Sequence, residues 1–438
     1  MNRTLIALLL AGCASAAGSV GGSPELSPND RGRVKLMLRS VSNDVKEHYY
    51  DPKFHGVDWD AAVAAAEAKI DVATTMGMAF SHVAAVLDLL GDSHTLFLAP
   101  LRRIRVDYGF RAYIVGDRCF VAHVRPGSDA EKKGVSPGDE LFAINNDRID
   151  RESLPKIEFV YNVLRPQLGL RLDLSHPGDQ PIQLDVTAQT KEFMGGGRHG
   201  SVDLWDAIRE LESEYRLNRT TFVQVAKGLG VLKIRDFSDV DERVLRWALR
   251  QVREQQALVL DLRGTPGGDI DNLKTLAALL FGRPVKLADL VYRDKTERLT
   301  TRERDDAFTG KLVVVVDSAS ASASEALARL VQIEGRGTVV GDATRGHVMH
   351  ARHIQHDMRV RSDTVVWYGA SVTDADIVMS DGKSLEHRGV QPDVRITPAV
   401  DDLVAGRDPV LARAIEMLGG TVTPEEAGLM FPFEWPSL

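Results

Sequence analysis

In its second half the chain reads Leu312-Val-Val-Val-Val-Asp-Ser-Ala-Ser-Ala-Ser-Ala-Ser-Glu325. Five apolar residues, four of them β-branched, open this stretch and predict a strand that is buried on both faces. From Glu325 onward, the run Glu-Ala-Leu-Ala-Arg-Leu-Val begins a helical pattern. The sequence therefore predicts that a strand ends and a helix begins around Ser320, Ser322 and Ser324.

A serine at such a junction can have either of two roles, as a nucleophile or as a helix cap. Its hydroxyl lies at the carboxyl end of a strand, and the neighbouring helix N-terminus offers unpaired N–H groups and a positive partial charge to an oxyanion. That combination favours a nucleophile. Ser and Ala are also ordinary small residues at the start of a helix, where a serine caps the first turn. This stretch alone leaves both readings open.

The flanking segments predict a largely parallel sheet. Ala257-Leu-Val-Leu-Asp-Leu262 reads as a second buried strand and Thr338-Val-Val-Gly341 as a third, with helical patterns in the intervening chain. The strand at 257–262 runs into Arg263-Gly-Thr-Pro-Gly-Gly268. Glycines at the carboxyl end of a strand let backbone N–H groups approach a ligand closely, as a phosphate loop or an oxyanion hole requires. No Gly-Lys-Ser/Thr follows, so the loop is not of the Walker type.

The chain upstream of this sheet has two characters. Residues 28 to about 90 have helical spacing, and the last helix ends in Gly91-Asp-Ser-His-Thr95, where His94 can satisfy the final carbonyls of the helix. From about Arg105 to Val186 short strands alternate with turns. This second part resembles a PDZ domain, with Tyr108-Gly109-Phe110 at the place of the carboxylate-binding loop. PDZ domains bind the C-terminus of a peptide as an added strand. The alternative is a small β domain that only packs on its neighbours.

The N-terminus predicts export. Met1 to Cys13 has a charged start followed by a short apolar run, too short to span a bilayer as a folded helix. Leu10-Ala-Gly-Cys13 resembles the bacterial lipobox, which implies lipidation of Cys13, membrane anchoring in the cell envelope and a position on the periplasmic face. A simple cleavable signal is the alternative. Ala14 to Ser27 reads as a flexible tether, and Cys119 is then the one remaining cysteine, so no internal disulfide is expected.

Composition narrows the possible partners. The net charge is −8, and Lys and Arg are scattered along the chain. The sequence therefore predicts no basic patch that would bind nucleic acid. The twelve His residues are dispersed and no His-Glu-x-x-His occurs, so neither a metal nor another cofactor is predicted. The sequence does not indicate the oligomeric state.

Four motifs together resemble one family. Leu260-Asp-Leu-Arg-Gly-Thr-Pro-Gly-Gly268, Ser320-Ala-Ser-Ala-Ser-Glu325, Gly341-Asp-Ala-Thr-Arg-Gly346 and Gly389-Val-Gln-Pro-Asp393 follow the PDZ-like module in this order. The whole is similar to the C-terminal-processing (tail-specific) serine peptidases and the related tricorn core. The resemblance implies an α/β fold with a core like those of crotonase and the Clp peptidase. It divides the chain into a signal and tether (residues 1–27), an N-terminal helical region (28–100), a PDZ-like domain (101–188) and a peptidase core (189–438).

The resemblance also implies roles for individual residues. Ser322 corresponds to the nucleophile, and the amide of Ala323 with that of Gly267 or Gly268 to the oxyanion hole. The tail-specific enzymes have a catalytic Lys directly after this Thr-x-Gly element, where this chain has His347.

Without that Lys, Ser322 needs another base. The tricorn branch uses a His from the N-terminal region and a Glu before the Gly-Val-x-Pro-Asp element, which correspond here to His94 and Glu386. We therefore predict a Ser322/His94/Glu386 triad, with His347 as the rival base. The expected reaction is endoproteolysis of a polypeptide, presented through its C-terminus by the PDZ-like module.

Two further interpretations remain. In the first, the core has lost catalysis and binds an apolar ligand, which its resemblance to retinoid-binding modules allows. The protein could also be a scaffold that only captures peptide C-termini through its PDZ-like module. A binder has no chemical need for Ser, His and Glu together, so the sequence favours the peptidase.

Overall fold

The structure, a computed structural model, describes residues 26–100, 104–192, 220–238, 242–361 and 364–436. The predicted signal with Cys13 and most of the predicted tether lie outside these ranges. No helix in the described ranges has the length and apolar content that crossing a membrane requires.

Helices lead the described chain. Each begins at a side-chain cap: Ser27, Asp58 and Thr75 accept a hydrogen bond from a backbone N–H of the first turn. The elements are α1 Pro28–His48, α2 Trp59–Asp71, α3 Met76–Asp88 and the short strand β1 Leu96–Leu98.

Residues 104–192 form a mostly antiparallel β domain. Its main sheet has the strand order β3-β4-β5-β7-β8, with β6 on β5, while β2 pairs separately with β9. Strand β3 is therefore an outer strand. The elements are β2 Ile104–Asp107, β3 Phe110–Val115, β4 Arg118–Val124, α4 Asp129–Lys132, β5 Glu140–Ile144, β6 Asp147–Arg148, α5 Ser153–Phe159, β7 Gly169–Ser175, β8 Ile182–Thr187 and β9 Gln189–Glu192.

The core, residues 220–436, contains a six-stranded sheet ordered β10-β11-β12-β15-β16-β19. All neighbouring pairs are parallel except β10 with β11. A second, antiparallel sheet pairs β18 with β1, β13 and the long strand β17. The elements are β10 Thr221–Ala226, β11 Leu229–Lys233, α6 Glu242–Arg253, β12 Ala257–Asp261, α7 Ile270–Phe281, β13 Lys286–Tyr292, β14 Thr296–Thr300, β15 Lys311–Val316, α8 Ala323–Ile333, β16 Thr338–Gly341, β17 Met349–Arg361, β18 Thr364–Met379, β19 Val394–Arg395, α9 Val400–Ala405, α10 Pro409–Met417 and α11 Pro424–Gly428.

Apolar residues cover both faces of the parallel sheet. Leu312 and Val314 of β15 face a cluster with α7 and α8, whereas Val313 and Val315 face α10. Burial on both faces explains the continuous apolar run of this strand. The predicted fold class, α/β with N-terminal helices, a β domain and a parallel core sheet, is confirmed.

Candidate active site

Ser322 occupies a sharp turn between β15 and α8. Its backbone has φ 55° and ψ −116°, a conformation that costs a non-glycine residue about 1–3 kcal/mol. Its N–H is held by the carbonyl of His347 at 2.8 Å and by Oε2 of Glu325 at 3.0 Å. Its hydroxyl has no hydrogen bond to another residue of the described ranges. The strained turn therefore presents a free Oγ at the end of the strand.

The glycine loop lies directly against this turn. Gly267 and Gly268 have φ of 105° and 134°. A Cβ added to Gly267 would lie 2.5 Å from Cβ of Ser322 and 3.1 Å from N of Ala323, so only glycine permits this approach. Within the part of the chain that the structure describes, the N–H groups of Gly267, Gly268 and Ala323 have no hydrogen-bond acceptor. Ala323 and the glycine loop therefore offer N–H groups without an acceptor next to Ser322, which is what an oxyanion hole needs.

Glu325 fastens the serine turn to the following loop. Its buried carboxyl group accepts hydrogen bonds from N–H of Ser322, Gly346 and His347, at 3.0, 2.7 and 3.0 Å, and from the hydroxyl of Thr344. Burial raises the pKa of Glu325 to about 7, although these four donors act in the opposite direction. No role was predicted for Glu325 from the sequence. Ser-x-x-Glu is the capping-box spacing, and that signal could have identified it.

His94 lies in the loop between α3 and β1. Its Nδ1 is 2.7 Å from Oγ of Ser93, and the Ser93 hydroxyl donates to Oε2 of Glu386 at 2.9 Å. Since that hydroxyl proton points to the carboxylate, Nδ1–H of His94 donates to Ser93 Oγ, which leaves Nε2 as the basic nitrogen. The backbone N–H of Ser93 also donates to Glu386, at 2.8 Å. Glu386 thus supports His94 through Ser93, for which no role was predicted from the sequence.

The same carboxylate reaches the loop beside Ser322. Oε2 of Glu386 accepts a hydrogen bond from N–H of Val348 at 2.8 Å, and the preceding residue, His347, binds the N–H of Ser322 through its carbonyl. The predicted triad residues therefore share one connected hydrogen-bond network, although they come from distant parts of the chain.

Both candidate bases are largely buried. Burial lowers the pKa of His94 to about 4, and burial together with the nearby Arg345 and His94 lowers the pKa of His347 to about 3. Both imidazoles are therefore neutral at pH 7 and able to accept a proton. They differ in support, because the ring of His347 has no hydrogen bond to another described residue.

The predicted peptide-binding loop lies at the start of β3. Tyr108 and Phe110 are buried, and the Tyr108 hydroxyl donates to the carbonyl of Tyr161 at 2.9 Å. The N–H of Gly109 donates to Oδ1 of Asp107 at 2.8 Å, so a side chain of the β domain itself occupies this donor.

The far end of β3 contacts residues 317–322, the loop between β15 and α8 that is here called the serine loop. The Tyr113 hydroxyl donates to Oδ2 of Asp317 at 3.0 Å, and the Ser318 hydroxyl donates to the carbonyl of Ile114 at 2.6 Å. Oδ1 of Asp317 accepts the N–H groups of Gly264 and Ser320 at 3.0 and 2.8 Å. The β domain is thus bonded to the residue that holds both the glycine loop and the serine loop.

No cluster of three or more His, Cys, Asp or Glu side chains among the described residues is arranged to hold a metal ion. A serine in a strained strand–helix turn, free backbone donors beside it and a supported neutral imidazole are the features expected of a serine hydrolase.

Comparison with known proteins gives the family. The model of peptidase family S41 matches residues 228–396, and that of the tricorn protease C1 domain matches residues 34–76. Carboxyl-terminal-processing peptidase 3 of Arabidopsis thaliana, which is chloroplastic, is 25% identical over 395 residues, covering 85% of this chain and 71% of the relative. Carboxy-terminal processing protease CtpA of Bacillus subtilis (strain 168) is 22% identical over 275 residues, covering 61% of this chain and 51% of the relative. The chain therefore spans about half of that relative's length.

Among solved structures, a photosystem II D1 C-terminal processing protease superposes with a TM-score of 0.53 at 21% identity, covering 90% of this chain and 99% of the other. Over residues 228–396 the chain matches peptidase family S41, and its matched relatives are carboxyl-terminal-processing peptidases, which supports a serine-type peptidase. Ser322 and Glu386 lie inside the S41 match, whereas His94 lies outside both matched ranges.

Proposed function

We propose that the protein is a serine endopeptidase of the C-terminal-processing type that uses Ser322, His94 and Glu386. Oγ of Ser322 attacks a peptide carbonyl while Nε2 of His94 takes its proton. The amide of Ala323, with Gly267 or Gly268, stabilises the oxyanion. His94 then protonates the leaving amine, and water hydrolyses the acyl-enzyme. Glu386, acting through Ser93, orients the ring and stabilises the imidazolium.

The observation that carries this proposal is the relay from His94 through Ser93 to Glu386. A general base needs a partner that fixes its tautomer and supports its positive charge, and His94 has one. For this reason we assign the base to His94 rather than to His347. A pure binder of apolar ligands has no use for the relay.

The test is turnover of unfolded casein together with labelling by a fluorophosphonate. Ser322→Ala is expected to abolish both, whereas Ser136→Ala, a change at an exposed serine of the β domain, serves as the matched control. His94→Ala is expected to lower kcat about 10² to 10⁴-fold, the range for loss of a general base. A large loss in His347→Ala with little loss in His94→Ala would reverse the assignment. Full activity in Ser322→Ala would refute the peptidase.

We also propose that the β domain, as a PDZ-like module, presents the substrate. An added peptide strand fits the outer strand β3, with its carboxylate near Tyr108, Gly109 and Phe110 and its other end toward the serine loop. Peptides with an amidated C-terminus are then expected to show a raised KM at similar kcat. Equal KM for acid and amide peptides would exclude this mode.

Export and lipid anchoring through Cys13 at the bacterial cell envelope are a further part of the proposal. Metabolic labelling with an alkyne fatty acid is expected to mark the protein and to fail in Cys13→Ala. Labelling that persists in this variant would contradict the anchor.

A further inference from the structure

Two imidazoles hold the loop that carries His94. Nδ1 of His55 lies 2.6 Å from the carbonyl oxygen of Leu90, and Nε2 of His387 lies 2.8 Å from the carbonyl oxygen of Gly91. These carbonyls are consecutive, and they stand just before the Asp-Ser-His segment that supplies the relay. The loop is therefore held from two sides, by the segment between α1 and α2 and by the core.

The chemistry of these bonds fixes both protons. A carbonyl oxygen only accepts, so Nδ1 of His55 and Nε2 of His387 must each carry a hydrogen. The other nitrogen of His55 lies 2.8 Å from the Tyr50 hydroxyl, which can donate to it when the ring is neutral. The His55 ring thus bridges a side chain of its own segment and the catalytic loop.

Both histidines have backbone conformations that disfavour an ordinary side chain. His55 has φ 51° and His387 has φ 58°. Each is kept there by a bond from its own N–H, to Asp51 in the first case and to Gly346 in the second, both at 2.8 Å. Such strain persists only where the surroundings enforce it, and it concentrates at functional sites.

We propose that His55 and His387 are positioning residues for His94, which they keep in line with Ser93 and Glu386. His387 directly follows Glu386, so one short segment holds the loop at both Ser93 and Gly91. His55 ties the segment between α1 and α2 to the loop of His94, although this segment supplies no atom to the proposed reaction. The inference rests on the proposed peptidase function.

The test exchanges each imidazole for an amide. The amide nitrogen of Asn lies about where Nδ1 lies in His, and that of Gln about where Nε2 lies. His55→Gly and His387→Gly remove the ring and relieve the backbone strain. Both are expected to fold with an unchanged Tm, to lose about tenfold or more in kcat at similar KM, and to label more slowly with the fluorophosphonate.

Rescue by the amides is expected to be reciprocal. At position 55, Asn restores most of the lost rate and Gln does not, whereas at position 387 Gln restores it and Asn does not. A role in stability alone would change Tm without this pattern. His48→Asn, at the end of α1, is the control for an imidazole that does not contact the loop.

Full kcat and full labelling in both glycine variants would overturn the positioning proposal. So would equal rescue by Asn and Gln at both positions. Activity that survives Ser322→Ala would instead refute the peptidase itself, which keeps the two failures distinguishable.

Discussion

At the scale of single residues, one hydroxyl joins the Glu386 carboxylate to the His94 ring. Because Ser93 Oγ both accepts from His94 and donates to Glu386, its loss breaks the relay while leaving the two ends in place. We expect Ser93→Ala to lower kcat about 10²-fold with little change in KM, as for a misoriented catalytic group. Ser93→Thr keeps the hydroxyl and should retain most of the rate. Wild-type kcat in Ser93→Ala would show that the relay is not used.

The buried, neutral His94 also predicts a dependence of stability on pH. Its pKa is about 4 in the folded protein, below the 6.5 of an unperturbed imidazole, so between these values only the unfolded chain binds the proton. Stability is therefore fully present above pH 6.5 and falls as the pH drops toward 4, by about 3 kcal/mol at most for this one residue.

The raised pKa of Glu325 has the opposite effect on stability. Between pH 4.5 and about 7 the folded state binds the extra proton, so this residue adds stability as the pH falls. For this reason the quantity to measure is the difference in unfolding free energy between His94→Asn and the wild type. Urea unfolding from pH 4 to 8 should show a shallower acid loss in His94→Asn than in the wild type. Parallel curves for the two proteins would contradict a neutral, buried His94.

At the scale of elements, the strands and helices of the parallel sheet could be predicted from the sequence, because runs of buried apolar residues mark them. The strand expected from Leu312 is β15, and the expected alternation of strands and helices gives the parallel sheet. The helix expected from Glu325 begins two residues earlier, at Ala323, because Ser322 turns the chain into it.

Other features depend on distant pairing, which local periodicity does not encode. Strand β17 is rich in His and Arg and lacks clean alternation, and its pairing with β18 in a long hairpin was not predicted. The hydrogen bond that supports His94 joins Ser93 to Glu386, which lies 293 positions further along the chain. Neither residue's local sequence predicts this contact. The left-handed backbone of His55 and His387 likewise exists only because the packed loop enforces it.

One ion pair joins the C-terminal helices to the glycine loop. Arg263 donates to both oxygens of Asp408 at 2.9 and 2.7 Å, and Asp408 also caps α10 through N–H of Leu411. Asp408→Asn keeps the cap and removes the charge, whereas Asp408→Ala removes both. Arg263 also donates to both oxygens of Asp261, at 2.9 and 2.8 Å, and keeps these bonds in either variant. We therefore expect a loss of unfolding free energy of about 1.5–3 kcal/mol for Asn, the range for hydrogen bonds to a charged group, and about 1 kcal/mol more for Ala.

Denaturant unfolding of both variants measures the two contributions separately. Since Arg263 begins the glycine loop, both variants should also lose kcat. Equal stability of Asp408→Asn and the wild type would mean that Asp261 alone satisfies Arg263.

At the scale of the whole molecule, the loops of the candidate active site are held where three parts of the chain meet. One hydrophobic cluster contains residues of α1–α3, the β domain and strand β18. A cleft of about 240 Å³ separates the β domain from the C-terminal helices and is lined by Tyr113 and Asp317. The relative position of the β domain and the core therefore bears directly on the serine loop.

The last described residues strap the β domain to the core. Phe433 stacks on His123 with ring centroids 4.0 Å apart, and Trp435 lies under the guanidinium groups of Arg111 and Arg125, at 4.7 and 4.6 Å. Arg125 also donates to the carbonyl of Pro436 at 2.8 Å. On the core side, the Lys233 ammonium lies 5.5 Å from the centroid of Phe431. The strap thus runs from β11 to the outer face of β3 and β4.

Trp435→Ala removes both cation–π contacts of the strap and should weaken this attachment by about 1–2 kcal/mol. Because the β domain then separates from the core more often, amide hydrogen exchange in β3 and β4 should speed up about tenfold, while β12 and β15 keep their protection. Leu429→Ala is the matched control, since Leu429 is 79% exposed and precedes the strap. Unchanged exchange in β3 and β4 would show that Tyr113, Ser318 and the shared apolar cluster hold the β domain without the strap.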